Sequence, residues 1–128
     1  MPLRILVVDD SEAIREAVRS CIETNTSWHV CAEAENGNVA LDMVRELNPN
    51  LVVLDLSMPG MNGLELAGEI AANAPRTRMI MFTANDCEQL IKEAESAGIS
   101  KVVAKSGESI VDYLLTAIKD LFRESDAA

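Results

Sequence analysis

LVVLDLSMPGMNG, residues Leu51–Gly63, joins a buried apolar run to a sharp turn through a single carboxylate. Leu51–Leu54 are unbroken by polar side chains, a pattern that suits a strand covered on both faces, as in a parallel sheet. Asp55 stands where the run ends, and Pro59, Gly60 and Gly63 force the chain to turn. Open parallel sheets bind ligands beyond the carboxyl ends of their strands, so Asp55 lies where such a fold does its chemistry. Asp also caps turns. Within this stretch the two readings are even, and the other strand ends must decide between them.

Working outward, Leu3–Val8 reads as a first strand ending in Asp9 and Asp10. Ser11 caps a helix from Glu12 to about Thr24, with Ile14, Ala17, Val18, Cys21 and Ile22 at the spacing of a buried face. Trp28–Ala34 is a second strand, Gly37–Leu47 a helix stopped by Asn48-Pro49, and Leu51–Leu54 the third strand. Leu64–Asn73 is a helix with Asn62 as its cap, and Arg78–Thr83 a fourth strand ending in a hydroxyl. Asp86–Ala97 is a helix closed by Gly98, and Ser100–Ala104 a fifth strand ending in the cation of Lys105. Glu108–Phe122 is the last helix, with Ile110, Val111, Leu114, Leu115, Ile118 and Leu121 as its apolar stripe. Strands alternating with helices on short connections predict an α/β fold: one doubly wound, five-stranded parallel sheet with helices on both faces. Right-handed crossovers favour the flavodoxin-like strand order 2-1-3-4-5, which puts strands 1 and 3 at the switch point. Residues 1–123 are expected to form the domain, with 124–128 as a flexible tail or the start of a linker.

The chain has 128 residues, enough for one core, and a hydrophobic fraction of 48%, which excludes disorder. No apolar run approaches a membrane span, and MPLRILVV is too short for a signal peptide, so the expected location is cytoplasmic. Cys21, Cys31 and Cys87 lack CxxC spacing and read as reduced thiols. The formal net charge is −10, from 21 acids against 11 bases. So acidic a domain is repelled by DNA phosphates and anionic lipid, which argues against direct nucleic-acid or membrane contact.

In a parallel sheet all strand ends point one way. Asp9, Asp10, Asp55, Thr83 and Lys105 would then share one crevice. Clustered carboxylates repel one another unless a cation joins them. Lys105 supplies one positive charge and a hard divalent cation would supply two. Few carboxylates with open water positions are what Mg²⁺ prefers, so Asp10 and Asp55 read as direct ligands and Asp9 as acting through a bound water.

The acidic pair in VVDDSE, the LDLSMPGMNG segment, the Thr in MFTA and the Lys in VVAKS, in this order, resemble the receiver domain of two-component response regulators, the CheY-like superfamily. The likeness covers nearly the whole chain. It implies that Asp55 accepts a phosphoryl group from a histidine kinase or phosphotransfer protein, forming an acyl phosphate. It implies that Mg²⁺ bridges Asp10, Asp55, the backbone carbonyl of Ser57 and a phosphoryl oxygen. Lys105 would neutralise a second oxygen and Thr83 would donate a hydrogen bond to the third. Movement of Thr83 would then rearrange the surface of the fourth helix, fifth strand and fifth helix, with homodimer formation on phosphorylation as one output. The protein would be a switch with self-phosphotransfer and autodephosphorylation activity rather than a turnover enzyme.

Two positions depart from the family pattern. Val102 stands where many receivers carry Tyr or Phe, so no ring can swing inward there and any switch must use loop and helix displacement or dimer formation. Ser106 stands where many carry a cis-Pro. A cis bond before a non-proline residue costs about 3 kcal/mol, so the Lys105–Ser106 bond is expected to be trans. Val102 with Ser106 resembles receivers attached to helix-turn-helix DNA-binding domains, which suggests the N-terminal part of a transcriptional regulator. Ser57 and Asn85 occupy positions that tune phosphoryl lifetime in the family.

Two readings compete. Dehalogenase-like phosphatases also use Asp, Thr or Ser, Lys and Mg²⁺, but need DxD where this chain has Asp9-Asp10-Ser11. A receiver-fold scaffold working by binding alone would not need the full set of acids, Thr and Lys. Trp28 and His29 are expected to play no chemical part. Glu12, Arg15, Glu16 and Arg19 are expected to form a solvated helix face. Met58 and Met61 are the methionines placed on the loop that follows Asp55.

Overall fold

The computed structural model describes residues 2–84, 87–105 and 110–127, with the side chains of Ile110, Val111 and 124–127 outside that description. The elements follow in strict alternation: β1 Arg4–Val8, α1 Glu12–Asn25, β2 His29–Ala34, α2 Gly37–Leu47, β3 Leu51–Leu54, α3 Gly63–Asn73, β4 Arg78–Thr83, α4 Glu88–Ser96, β5 Lys101–Ala104 and α5 Ile110–Ala127. The five strands form one sheet in the order β2-β1-β3-β4-β5, and every neighbouring pair is parallel.

The apolar runs are continuous because both faces of the sheet are covered. Leu6, Val8, Val52, Leu54, Met79 and Met81 point to one face, against Val44 of α2, Leu66 and Ile70 of α3 and Leu90 of α4. The alternate residues Ile5, Val7, Leu51, Val53, Ile80 and Phe82 point to the other, against Val18 and Ile22 of α1 and Leu114, Ile118 and Leu121 of α5. Successive strand residues face opposite ways, so each strand feeds both layers. Each fully buried aliphatic side chain contributes on the order of 2 kcal/mol.

Caps and breakers fix the helix ends. The Ser11 hydroxyl accepts from the Ile14 amide, and Asn36 caps α2 through the Val39 amide. Asn62 and Glu65 form a reciprocal capping box on α3, which begins at Gly63, one residue earlier than the spacing predicts. Gly98 follows α4 at φ +99° and Asn48 follows α2 at φ +46°. α5 runs past Phe122, where the apolar stripe of the sequence ends, to Ala127. Ala17, expected in the buried face of α1, is exposed, and Val39, Met43 and Leu47 of α2 are only half-buried. Val39 and Met43 still pack against the core layer from the side of the α2 stripe. Asp86 and Glu108, read as the first residues of the last two helices, lie outside the described residues, as do Asn85 and Ser106.

Trp28 is half-buried against the α1–α5 layer, and His29 is exposed. All three cysteines are free; burial pushes the Cys21 and Cys31 thiols above their ordinary value, which keeps them protonated.

Candidate phosphoacceptor and cation site

The sheet itself carries three of the site residues. The Asp9 amide donates to the Ala34 carbonyl at 3.1 Å, the Asp55 amide to the Val8 carbonyl at 3.0 Å, and the Lys105 amide to the Thr83 carbonyl at 2.7 Å. These bonds prolong the ladders by one rung past the strand ends. Each side chain is therefore set by a frame of parallel strands rather than by a free loop.

Among the described residues, Asp9, Asp55 and Thr83 are the buried polar or charged side chains, at 3%, 7% and 2% exposure. Such burial is costly unless charge is compensated. The Lys105 ammonium does part of this, lying 2.5 Å from Asp9 Oδ2 and 3.3 Å from Asp55 Oδ2. It also stands 5.7 Å from the centre of the Phe82 ring, whose face attracts a cation. The remaining oxygens are held locally. Asp9 Oδ1 accepts from the Ser11 amide at 2.9 Å, and Asp55 Oδ1 from the Leu56 amide at 2.8 Å.

Asp9, Asp10 and Asp55 each offer a carboxylate oxygen, all within 4.8 Å of one another, and Asp10 is the exposed member. One lysine cannot neutralise three acids. Burial pushes the Asp55 carboxyl above its ordinary value, Lys105 pulls it back, and Asp9 adds to the rise; hydrogen bonds from Lys105 and Leu56 lower it. An all-oxygen donor set with one open, solvent-facing member fits a hard divalent cation of the Mg²⁺ type. An open cavity of about 570 Å³ lies beside Asp10, between Glu35, Asn36, Asn38, Pro59 and Gly60. Another of about 610 Å³, at the opposite rim between Asn48–Asn50, Arg76–Arg78 and Phe122, holds none of these acids. Void alone therefore does not locate the chemistry.

The turn after Asp55 is built tightly. A Cβ at Gly63 would stand 2.3 Å from the Asp55 carbonyl oxygen, and the Gly63 amide donates to the Leu56 carbonyl at 2.8 Å. Gly60 sits at φ +77°, a region that favours glycine. Ser57 is exposed on this turn, Met58 is buried in the α2–α3–α4 layer, and Met61 packs against Gly37.

Arg15 and Arg19 do not form the solvated face expected of them. Arg15 Nε donates to Glu33 Oε1 at 3.1 Å, Arg19 Nη2 lies 2.9 Å from Glu33 Oε2, and Arg15 Nη1 donates to the Asp9 carbonyl at 2.6 Å. Local helix spacing did not reveal this contact. The available signal was Glu33, an acid inside the strand HVCAEA, which needs a cation from the helix that covers it.

A family model described as the response regulator receiver domain matches residues 5–119, and the chain belongs to that family. It is 34% identical over 125 residues to the transcriptional regulatory protein YdfI of Bacillus subtilis, a match covering 98% of this chain and 54% of that protein. It is 32% identical over 117 residues to the chemotaxis protein CheY of Listeria monocytogenes, covering 91% and 96%. Among solved structures, a LuxR-family two-component response regulator from Aurantimonas aligns with a TM-score of 0.90 at 32% identity, covering 97% of this chain and 87% of that one. The chain spans about half the length of the transcriptional regulators it matches. Receiver domains of response regulators are generally Mg²⁺-dependent, work with histidine kinases and often carry output domains. Membership of this family sets the dehalogenase-like reading aside. Among the described residues no helix is long and apolar enough to cross a membrane.

Proposed function

We propose that this chain is a phosphorylation switch in which Asp55 is the phosphoacceptor. The observation that carries the reading is the meeting of three carboxylates within 4.8 Å of one another and a lysine that bridges two of them, at the tips of separate strands. An Asp55 carboxylate oxygen attacks phosphorus of a phosphohistidine, the P–N bond breaks, and the departing imidazole takes a proton. Transfer of this kind depends on positioning and on neutralising the phosphoryl oxygens. Lys105 is close enough to Asp55 to act on one of those oxygens as a point charge, and Thr83, at the end of β4, is the hydroxyl donor for another. Asp9, Asp10, Asp55 and the Ser57 carbonyl would hold Mg²⁺, which when bound supplies the charge neutralisation that one lysine cannot. The new dianion biases the segment after Thr83 and the surface of α4, β5 and α5. Val102 in β5 is half-buried, and with no ring at this position the change travels by loop and helix displacement or by homodimer formation. We assign residues 1–123 to the receiver unit and 124–128 to a tail or the start of a linker, into which α5 continues as far as Ala127. Output through a DNA-binding domain, with no nucleic acid touched by this domain itself, agrees with its net charge of −10.

Acetyl phosphate with Mg²⁺ is expected to add one phosphoryl mass to the chain, and Asp55→Asn to prevent it. No mass gain under saturating donor, with no rise in thermal stability on adding Mg²⁺, would favour a scaffold that works by binding alone.

A further inference from the structure

Two acids adjacent in sequence occupy very different surroundings. Asp9 is buried and engaged by the Lys105 ammonium and the Ser11 amide, whereas Asp10 is exposed. The sheet fixes Asp9 through its amide, but β1 ends at Val8 and no ladder bond reaches further along the chain than that amide. Asp10 is instead placed by its two flanking peptides: the one that leads to Ser11 is held where the Ser11 amide donates to Asp9 Oδ1 at 2.9 Å, and the other joins it to Asp9. That second unit is planar, so whatever holds the Asp9 carbonyl also sets the Asp10 amide and the Cα from which its side chain departs.

Arg15 holds that carbonyl, at 2.6 Å from Nη1. Its side chain is only 15% exposed, and its Nε is committed to Glu33 Oε1. Glu33 lies in β2, in register with Val7 of β1, and its second oxygen takes Arg19. The planar guanidinium thus spans helix, neighbouring strand and loop, and cannot rotate without losing one partner. We infer that Arg15, clamped by Glu33, is a positioning residue that fixes the Asp9–Asp10 peptide and so the direction from which the Asp10 carboxylate meets a divalent cation. The inference rests on the reading of the acidic cluster as a Mg²⁺ site.

Its sign separates it from plain electrostatics. A positive charge beside a cation pocket opposes binding, so removing Arg15 for its charge alone would tighten Mg²⁺. Removing it as a positioner weakens Mg²⁺. Calorimetric titration of the full chain with MgCl₂ reads the difference, with urea denaturation in chelator to verify that each variant is folded. Arg15→Met is expected to weaken Mg²⁺ binding about tenfold, as loss of a residue that orients a metal ligand does. Arg15→Lys, which keeps the charge but not the fork, falls between wild type and Arg15→Met. Arg19→Met removes the same charge from the same face without touching the Asp9 carbonyl, and leaves affinity unchanged or slightly tighter. Folded Arg15→Met with unchanged or tighter affinity overturns the inference, as does weakening that Arg19→Met matches. Should Arg15→Met fail to fold, wild-type affinity in Arg15→Lys overturns it. If wild type itself takes up no Mg²⁺, the cation site of the proposed function falls and the role of Arg15 falls with it.

Discussion

The two rims of the sheet are made by the same strands and solve opposite problems. At the amino rim, polar groups satisfy one another. The Arg4 amide donates to Asn50 Oδ1 at 2.8 Å, the Asn50 amide to the Arg4 carbonyl at 2.9 Å, the Arg78 amide to the Asn50 carbonyl at 3.0 Å, and the Thr77 hydroxyl to the Pro49 carbonyl at 3.0 Å. At the carboxyl rim, two buried acids share one lysine, and an exposed third acid stands beside them. The amino rim is closed by hydrogen bonds among backbone groups and neutral side chains, beside a cavity of about 610 Å³ with no acid in its lining. The carboxyl rim is left electrically short of positive charge. The difference teaches that a site is marked by charge the fold leaves uncompensated rather than by the volume it leaves empty.

The sharpest break of this contrast is at the acceptor. Asp55→Asn should abolish phosphoryl incorporation measured by intact mass, while Arg76→Ala at the amino rim leaves it at the wild-type level. Lys105→Met comes next. Loss of one preorganised charge at a reacting oxygen costs on the order of 100-fold in rate, measurable as the time course of acetyl phosphate labelling. Below that lies the turn that carries the site. Gly63→Ala forces a methyl group against the Asp55 carbonyl and should lower stability by about 3 kcal/mol in urea denaturation. Gly60→Ala meets no atom within 4 Å and pays only for its positive φ, about 1 kcal/mol.

A smaller effect concerns pH. The folded chain holds a proton on Asp55 more readily than the unfolded chain does, because burial raises that carboxyl. The contribution of Asp55 to stability is therefore least unfavourable below its ordinary value and worsens as pH rises through the raised one. In chelator, Asp55→Asn should lose this part of the pH dependence and equal or exceed wild-type stability near neutral pH. The smallest expected change is Arg76→Ala, an exposed amino-rim residue, at under about 0.5 kcal/mol.

The parallel sheet was legible because the continuous runs LVVL and RILVV report burial on both faces and breakers such as Asn48-Pro49 and Gly98 lie at true ends, and its strand order because right-handed crossovers leave few alternatives. Bringing Asp9, Asp10 and Asp55 to one pocket followed from parallel strands with β1 and β3 as neighbours. Helix flanks were less legible. Ala17 fits an apolar stripe by spacing, yet whether a flank is covered depends on how far the neighbouring sheet extends, which spacing along one helix does not encode. The Arg15–Glu33 clamp was hidden for a related reason: it joins residues 18 apart in sequence, and a charged residue on an amphipathic helix reads as solvated until its partner is known.

The prolonged ladder rungs at Asp9, Asp55 and Lys105 have a consequence for how such a protein diversifies. The acceptor, its buried partner acid and the lysine are bolted to the chassis. Connections other than those that carry Asp10 and the Asp55–Gly63 turn can then lengthen, shorten or exchange side chains to suit new clients without disturbing the reaction. A lineage built this way can change whom it talks to while leaving untouched what it does.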